Sequence, residues 1–443
     1  MLSEPLGEEG LGLFQCLYTP LDIISMKRKN TTLLFIGLFF FCLWSLLGCS
    51  DEIEVSVADA VSVKEAESMP LVKVFLENSG SMDGFMCEGS DLKNALFSYL
   101  SDLEQSGTKV EKYYINSEEI PFDMDIEQYI RDLSPESFRQ AGGNRANSDI
   151  LQLLDSMVSK VNSSCVSIFV SDCILDLPAT DSQKYLTTGQ ISMRNALSRG
   201  RKKIPNLGVQ ILQMFSEFTG KYYYPQGGSE FLNGVRRPYY IWLFGSTDQL
   251  AKMRREVPFE SLENYGLKEM VTFVPETKCA YTIINARGSD NVKKIVAQNH
   301  TYSFSFKVDL SRTLQDDKSI GNSSNYTLNR EKMCEADISF IELDTPLRQP
   351  TLSIYPIPQK EAFTHTLKLA FPMRSLSRGQ KLTIAFHGAN KIPSWVELSN
   401  DDHGEDIHQN LFKTTGIKYL ITGVAEAYSD VKTWCEFQFN VKQ

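Results

Sequence analysis

Leu71-Val72-Lys73-Val74-Phe75-Leu76-Glu77-Asn78-Ser79-Gly80-Ser81-Met82-Asp83-Gly84 is the stretch on which the reading of this chain turns. Its first six residues are strong β-formers and predict a strand; the Ser/Gly run that follows predicts a tight loop. Within that loop a carboxylate and two hydroxyls alternate at positions 77, 79 and 81, a spacing that points three oxygens at one spot. Hard divalent cations take such ligands.

Outward from this stretch, short apolar runs alternate with amphipathic ones. From about Asp91, Leu92, Ala95, Leu96, Tyr99, Leu100 and Leu103 share one helical face. Val110–Ile115 reads as a strand, Ile150–Val161 as a helix carrying Ile150, Leu154, Met157 and Val161 on one side, and Cys165–Val170 as a buried central strand. A polar helical stretch over Ser182–Arg199 precedes strands at Val209–Phe215 and Tyr239–Phe244. Strands alternating with helices predict an α/β layer unit with a mostly parallel sheet over residues 70–262, and a protease-sensitive linker near 255–275. Beyond it the texture becomes period-two, as in Tyr302–Val308, Leu382–Phe386 and Cys435–Phe439, with few helical windows. Residues 270–443 are therefore expected to be mostly β and sandwich-like, with a long exposed loop over 311–335.

A strand followed by carboxylate-x-Ser-x-Ser, here Glu77-Asn78-Ser79-Gly80-Ser81-Met82, resembles the first element of the metal-ion-dependent adhesion site of von Willebrand factor A-like domains. The resemblance covers about 180 of the 443 residues. It implies a von Willebrand factor A-like (Rossmann-like) fold and a site completed by a hydroxyl from a second loop and an Asp ending a later central strand. Asp172, after Val166-Ser167-Ile168-Phe169-Val170-Ser171, matches the latter, and Ser148, before the predicted helix at Ile150, matches the former, although a serine there also suits a helix N-cap. The implied metal set is Glu77, Ser79, Ser81, Ser148 and Asp172, holding Mg²⁺ or Mn²⁺. The implied partner is a protein ligand whose acidic group completes the coordination. Two positions depart from the family pattern. Glu77 replaces the usual Asp, extending the carboxylate by about 1.5 Å. Asp172-Cys173 replaces Asp-Gly, so that turn must form without glycine.

The amino-terminal region points to export. Lys27, Arg28 and Lys29 precede an apolar run from Leu33 to Leu47, 15 residues against the roughly 20 a membrane-spanning helix needs. Leu46-Leu47-Gly48-Cys49-Ser50 then resembles the lipobox of bacterial lipoproteins, which implies a signal peptide over 26–48 and acylation of Cys49. Residues 1–25 read as a mis-called start ahead of Met26, and residues 49–69 as a tether. Asp51, Glu52 and Glu54 resemble the acidic signal that places Bacteroidetes lipoproteins on the outer membrane, so the expected location is that membrane, lipid-anchored, facing the periplasm or the cell surface.

Composition narrows the function classes. With 45 basic against 55 acidic residues, a net charge of -10 and no long Lys/Arg run after residue 30, nucleic acid is not an expected partner. The nine cysteines show no C-x-x-C spacing, and Cys165 and Cys173 end one predicted strand too far apart to pair, which leaves Cys87 among the open choices for any disulfide. Phosphate-loop, His-Glu-x-x-His and Gly-x-Ser-x-Gly patterns are missing and all five histidines lie at or after His300, so no enzymatic activity is expected. The acidic cluster Asp401–Asp406 reads as a solvated loop, Trp395 and Trp434 as packing residues, and Arg236-Arg237 as a surface pair at a strand entry. Binding of a protein ligand through the adhesion site leads; a metal-free scaffold subunit of an envelope complex and a glycan-handling enzyme are the rivals. If Cys49 carries the anchor, Cys49→Ala leaves a protein that no longer partitions with membranes after a carbonate wash; retention of the variant on the membrane refutes the anchor.

Overall fold

Leu71–Leu76 carries apolar side chains on both of its faces, so it must be flanked by strands and covered on both sides. A computed structural model supplies that setting and describes residues 52–58, 68–122, 125–146, 149–289, 292–332, 351–357, 363–373, 379–388 and 391–442. Residues 1–48, Cys49 and Ser148 lie outside the described residues. The strands, numbered along the chain, begin with β1 (Glu52–Val57), β2 (Leu71–Glu77), β3 (Val110–Ile115), β4 (Glu119–Phe122), β5 (Cys165–Ser171), β6 (Leu207–Tyr223), β7 (Ser229–Ser246) and β8 (Leu267–Phe273). Seven of these form one sheet in the order β4-β3-β2-β5-β7-β6-β8. Every residue of β5 is buried, as a central strand under helices requires.

The protein is a mixed α/β structure, and the parallel expectation needs correction. Only the pairings of β2 with β3 and β5 are parallel. The other four neighbouring pairs are antiparallel, so the sheet is mixed and mostly antiparallel. The cause is one long hairpin: β6 spans 17 residues and β7 spans 18, and they close directly on each other without a crossover helix. Gly227 and Gly228 turn the chain at φ 100° and 92°, a region that other residues rarely adopt. Polar residues such as Lys221, Glu230, Asn233 and Arg236 break the hydrophobic pattern of the outer halves, leaving only the cores around 209–215 and 239–244 legible.

The helix Asp91–Gln105 buries the six residues its periodicity predicts and is capped by Ser90, whose hydroxyl accepts the Lys93 N–H at 3.4 Å. The helices Ile150–Lys160 and Ser182–Lys203 pack together at Gly200, where a Cβ would stand 2.6 Å from a Val158 methyl.

The remaining strands are β9 (Tyr281–Ile284), β10 (Arg287–Gly288), β11 (Lys293–Val296), β12 (Thr301–Val308), β13 (Tyr326–Lys332), β14 (Thr351–Pro356), β15 (His365–Pro372), β16 (Gln380–Phe386), β17 (Asn400–Asp401), β18 (Thr414–Thr415) and β19 (Cys435–Lys442). Two antiparallel sheets, β10-β11-β1-β19-β16-β13 and β14-β15-β12-β9, meet through their apolar faces. Phe304 and Phe306 of β12 stand 5.2 and 4.9 Å, ring to ring, from Phe439 of β19.

Three features fell outside the expected pattern. Glu52–Val57, within the stretch expected as a tether, is a strand paired with β11 and β19. Tyr326–Lys332, within the expected loop 311–335, is a strand paired with β16. A helix, Ile417–Ala427, occupies the region expected to be nearly helix-free. It packs on Ser182–Lys203 so closely that a Cβ on Gly423 would stand 2.4 Å from the Gln190 carbonyl oxygen. The described residues from Glu52 to Lys442 form one compact unit, and the stretch read as a linker holds the 3₁₀ helix Phe259–Tyr265 and the sheet strand β8. Limited proteolysis of the chain is therefore expected to give one protected core rather than two stable fragments split near 255–275; recovery of two folded halves contradicts this packing.

Candidate functional site

Parallel pairing of β2 with β5, in register from Leu71↔Cys165 to Leu76↔Val170, puts the ends of both strands on one edge of the sheet. The Glu77–Ser81 loop and Asp172 consequently meet. The Ser79 and Ser81 hydroxyls lie 2.9 Å apart, and the Asp172 N–H contacts Met82 Sδ at 3.2 Å. Glu77, also buried, accepts a hydrogen bond from the Ser171 hydroxyl through Oε2. Of the five expected metal-site residues, the structure thus brings Glu77, Ser79, Ser81 and Asp172 to one edge, while Ser148 lies outside the described residues. The cap of the helix Ile150–Lys160 is Asp149, whose carboxylate accepts the Gln152 N–H at 3.1 Å.

The turn after β5 forms without glycine by placing Cys173 at φ 54°, a left-handed conformation that costs a β-carbon residue about 1–2 kcal/mol. Two side chains hold it there. Ser171 Oγ accepts the Cys173 N–H at 2.8 Å, and Asp172 Oδ1 accepts the Ile174 N–H at 3.2 Å. This leaves Asp172 Oδ2 enclosed with no hydrogen-bond partner of good geometry. Burial raises the Asp172 pKa; the Ser81 hydroxyl, the Ile174 N–H and the Arg237 charge oppose the shift without cancelling it. The negative potential extends outward, because burial and the nearby Asp172 and Asp149 charges raise Asp176 as well.

Several arginines surround the motif, and no spacing in the sequence announced them. Arg145 clamps the loop: its Nε donates to Asn78 Oδ1 at 2.6 Å, its Nη2 to the Ser79 carbonyl at 3.0 Å and to Asp83 Oδ1, and its own carbonyl accepts the Gly80 N–H at 3.2 Å. Arg139 adds a 2.8 Å bond to Asp83 Oδ2. Arg237 corrects the surface-pair expectation. Arg236 is at the surface, paired with Glu217 at 2.8 Å and Asp91 at 2.7 Å, but Arg237 is only 1% exposed. Its guanidinium stacks over Tyr222 at 4.5 Å and lies within electrostatic reach of Asp172, and both partners oppose the cost of burying its charge.

The outer half of the β6–β7 hairpin roofs the motif. A Cβ on Gly84 would stand 2.4 Å from the Phe218 ring, and one on Gly220 would stand 2.7 Å from the Gly84 Cα, so both positions need glycine for close approach. Tyr223 lies against Gly80 and is 41% exposed, and Phe231, on the partner strand of the same hairpin, is 67% exposed. The acidic loop expected to be solvated is tied to this arm: His408 Nε2 lies 2.7 Å from Glu230 Oε1, and Gln226 donates to the His403 carbonyl at 3.1 Å.

Among the described residues no three His, Cys, Asp or Glu side chains converge as metal ligands, so a cation here would rest on hydroxyls, one carboxylate and water. No family model, curated protein or solved structure matches the chain.

A carboxyl whose folded pKa lies above its unfolded value contributes stability below the unfolded pKa and loses it as pH rises through the folded pKa. Without divalent cation, the parent is therefore expected to lose thermal stability relative to Asp172→Asn as pH rises from about 4 toward 7.5. Unfolding midpoints measured in chelator across that range test this; a difference that does not change with pH contradicts a buried Asp172 charge as its source.

Proposed function

We propose that the chain is an envelope lipoprotein that binds a protein ligand through a cation held by Ser79, Ser81 and Asp172. The observation that carries the reading is the enclosed Asp172 Oδ2, which has the Ser81 hydroxyl nearby but no hydrogen bond of good geometry, at the edge where the Ser79 and Ser81 hydroxyls meet. A buried carboxylate oxygen without a partner costs about 1–3 kcal/mol or more, and an Mg²⁺ or Mn²⁺ ion is the kind of group that removes that cost. When bound, such an ion would supply a Lewis-acidic position for an acidic group of the partner. The protein's own part is to pre-organise the donors. Arg145 holds the loop backbone, Ser171 holds Glu77 behind the site, and the left-handed Cys173 turns Asp172 to the sheet edge. Tyr223 and Phe231 then offer aromatic contact area to the ligand.

A von Willebrand factor A-like arrangement is part of the proposal. It is supported by the motif loop at the end of β2, the acid at the end of β5 and the parallel pairing between them. The antiparallel β7-β6-β8 portion departs from a doubly wound parallel sheet.

Arg237 favours a second reading, in which a fixed guanidinium supplies the positive charge near Asp172 and the domain acts as a metal-free scaffold of an envelope complex. Calorimetric titration of Mn²⁺ into the soluble chain from Ser50 onward, which lacks the Cys49 anchor, separates the two. The adhesion reading expects saturable binding, weakened at least tenfold by Asp172→Asn and less by Ser81→Ala, since each carboxylate counts heavily when protein ligands are few. Absence of binding in the parent rejects it in favour of the scaffold.

A further inference from the structure

Thr277–Tyr281 runs beside the start of β19, bonded at both ends. The Thr277 N–H and hydroxyl donate to the Trp434 carbonyl at 2.6 and 3.1 Å. Four residues on, the Tyr281 hydroxyl donates to the Gln438 carbonyl at 3.0 Å and accepts the Gln438 N–H at 2.9 Å. Between these anchors sit Cys279 and Cys435, both free thiols, 2% and 0% exposed. Cys279 Sγ is 3.7 Å from the same Thr277 Oγ1 that binds the residue preceding Cys435.

We propose that Cys279 and Cys435 are joined by a disulfide when the chain folds in an oxidising compartment. The anchors hold the two segments side by side, so the bond closes a long loop within an already close-packed region and restricts the unfolded chain. Burial pushes the Cys435 thiol well above its ordinary range, with Cys279 as a further cause. In the finished fold the thiolate is therefore scarce and shielded from reagents, which places oxidation during folding, before the two sheets close.

The chemistry needs an external disulfide, such as oxidised glutathione or a protein disulfide oxidase. One cysteine thiolate attacks a sulfur of that disulfide, forming a mixed disulfide and expelling a thiolate. The second cysteine attacks the protein-side sulfur and expels the other. Two electrons leave the protein, and the two cysteine protons end, by way of solvent, on the two expelled thiolates, so the oxidant leaves as two thiols. The bond is independent of the ligand-binding reading, because it forms whether or not the motif holds a cation.

The experiment is to refold the soluble chain from Ser50 onward in a mixture of reduced and oxidised glutathione, block remaining thiols by alkylation in denaturant, and map peptides without reduction. The expected result is one linked peptide joining Cys279 to Cys435, two hydrogens lighter than its separate halves, with the other four cysteines, Cys87, Cys165, Cys173 and Cys334, alkylated. Quantitative alkylation of both Cys279 and Cys435, or linkage of either to Cys87 or Cys334 instead, overturns the proposal.

Discussion

The parallel ladder between β2 and β5 is the constraint from which the candidate site follows. A strand buried on both faces can satisfy its backbone only through neighbouring strands, and β5, buried throughout, leaves no other solution. Because the pairing is parallel, both strands end at the same edge, and residues 94 positions apart, Glu77 and Ser171, come into hydrogen-bond contact. The Ser79–Ser81 pair and Asp172 are brought together by the same ladder. An antiparallel pairing would have placed them at opposite edges.

Arginines hold that edge together after the backbone has placed it. A loop with two hydroxyls and two glycines has many conformations of similar energy. Arg145 selects one by bonding a side-chain amide, a backbone carbonyl and a carboxylate from a single guanidinium. Arg237 does a different thing from within the core. Its charge, set over the Tyr222 ring and near Asp172, ties the hairpin arm electrostatically to the end of β5. The site therefore joins three parts of the chain that are far apart in sequence, and its electrostatics are shared among them.

Much of the local structure was legible because it depends on local periodicity. The helix Asp91–Gln105 buries the face that its spacing announced, β2, β3 and β5 stand where the β-forming runs stand, and Phe304, Phe306, Phe437 and Phe439 turn inward as alternation requires. The helix Ile417–Ala427 was not picked out although Ile417, Leu420, Ile421 and Val424 recur at helical spacing, because the segment is short, lies among period-two stretches and carries Gly423, which lowers helix propensity. Its reason for being a helix is tertiary: Gly423 lets it lie directly on the Gln190 backbone.

The sequence by itself determined the strand-loop motif at Glu77–Ser81, its match with Asp172, the change of texture near residue 270 and the glycine-free turn at Cys173, since each is written in adjacent residues. Only the tertiary structure decided the direction of the sheet, because parallel and antiparallel strands share the same side-chain alternation and differ only in how the chain returns. It also decided that Arg237 is buried while Arg236 is exposed, since the two alternate across a strand and nothing local states which face the core will take. The clamp by Arg145 and the adjacency of Cys279 to Cys435 belong to the same class: they are contacts made across long loops, set by packing that no local pattern records.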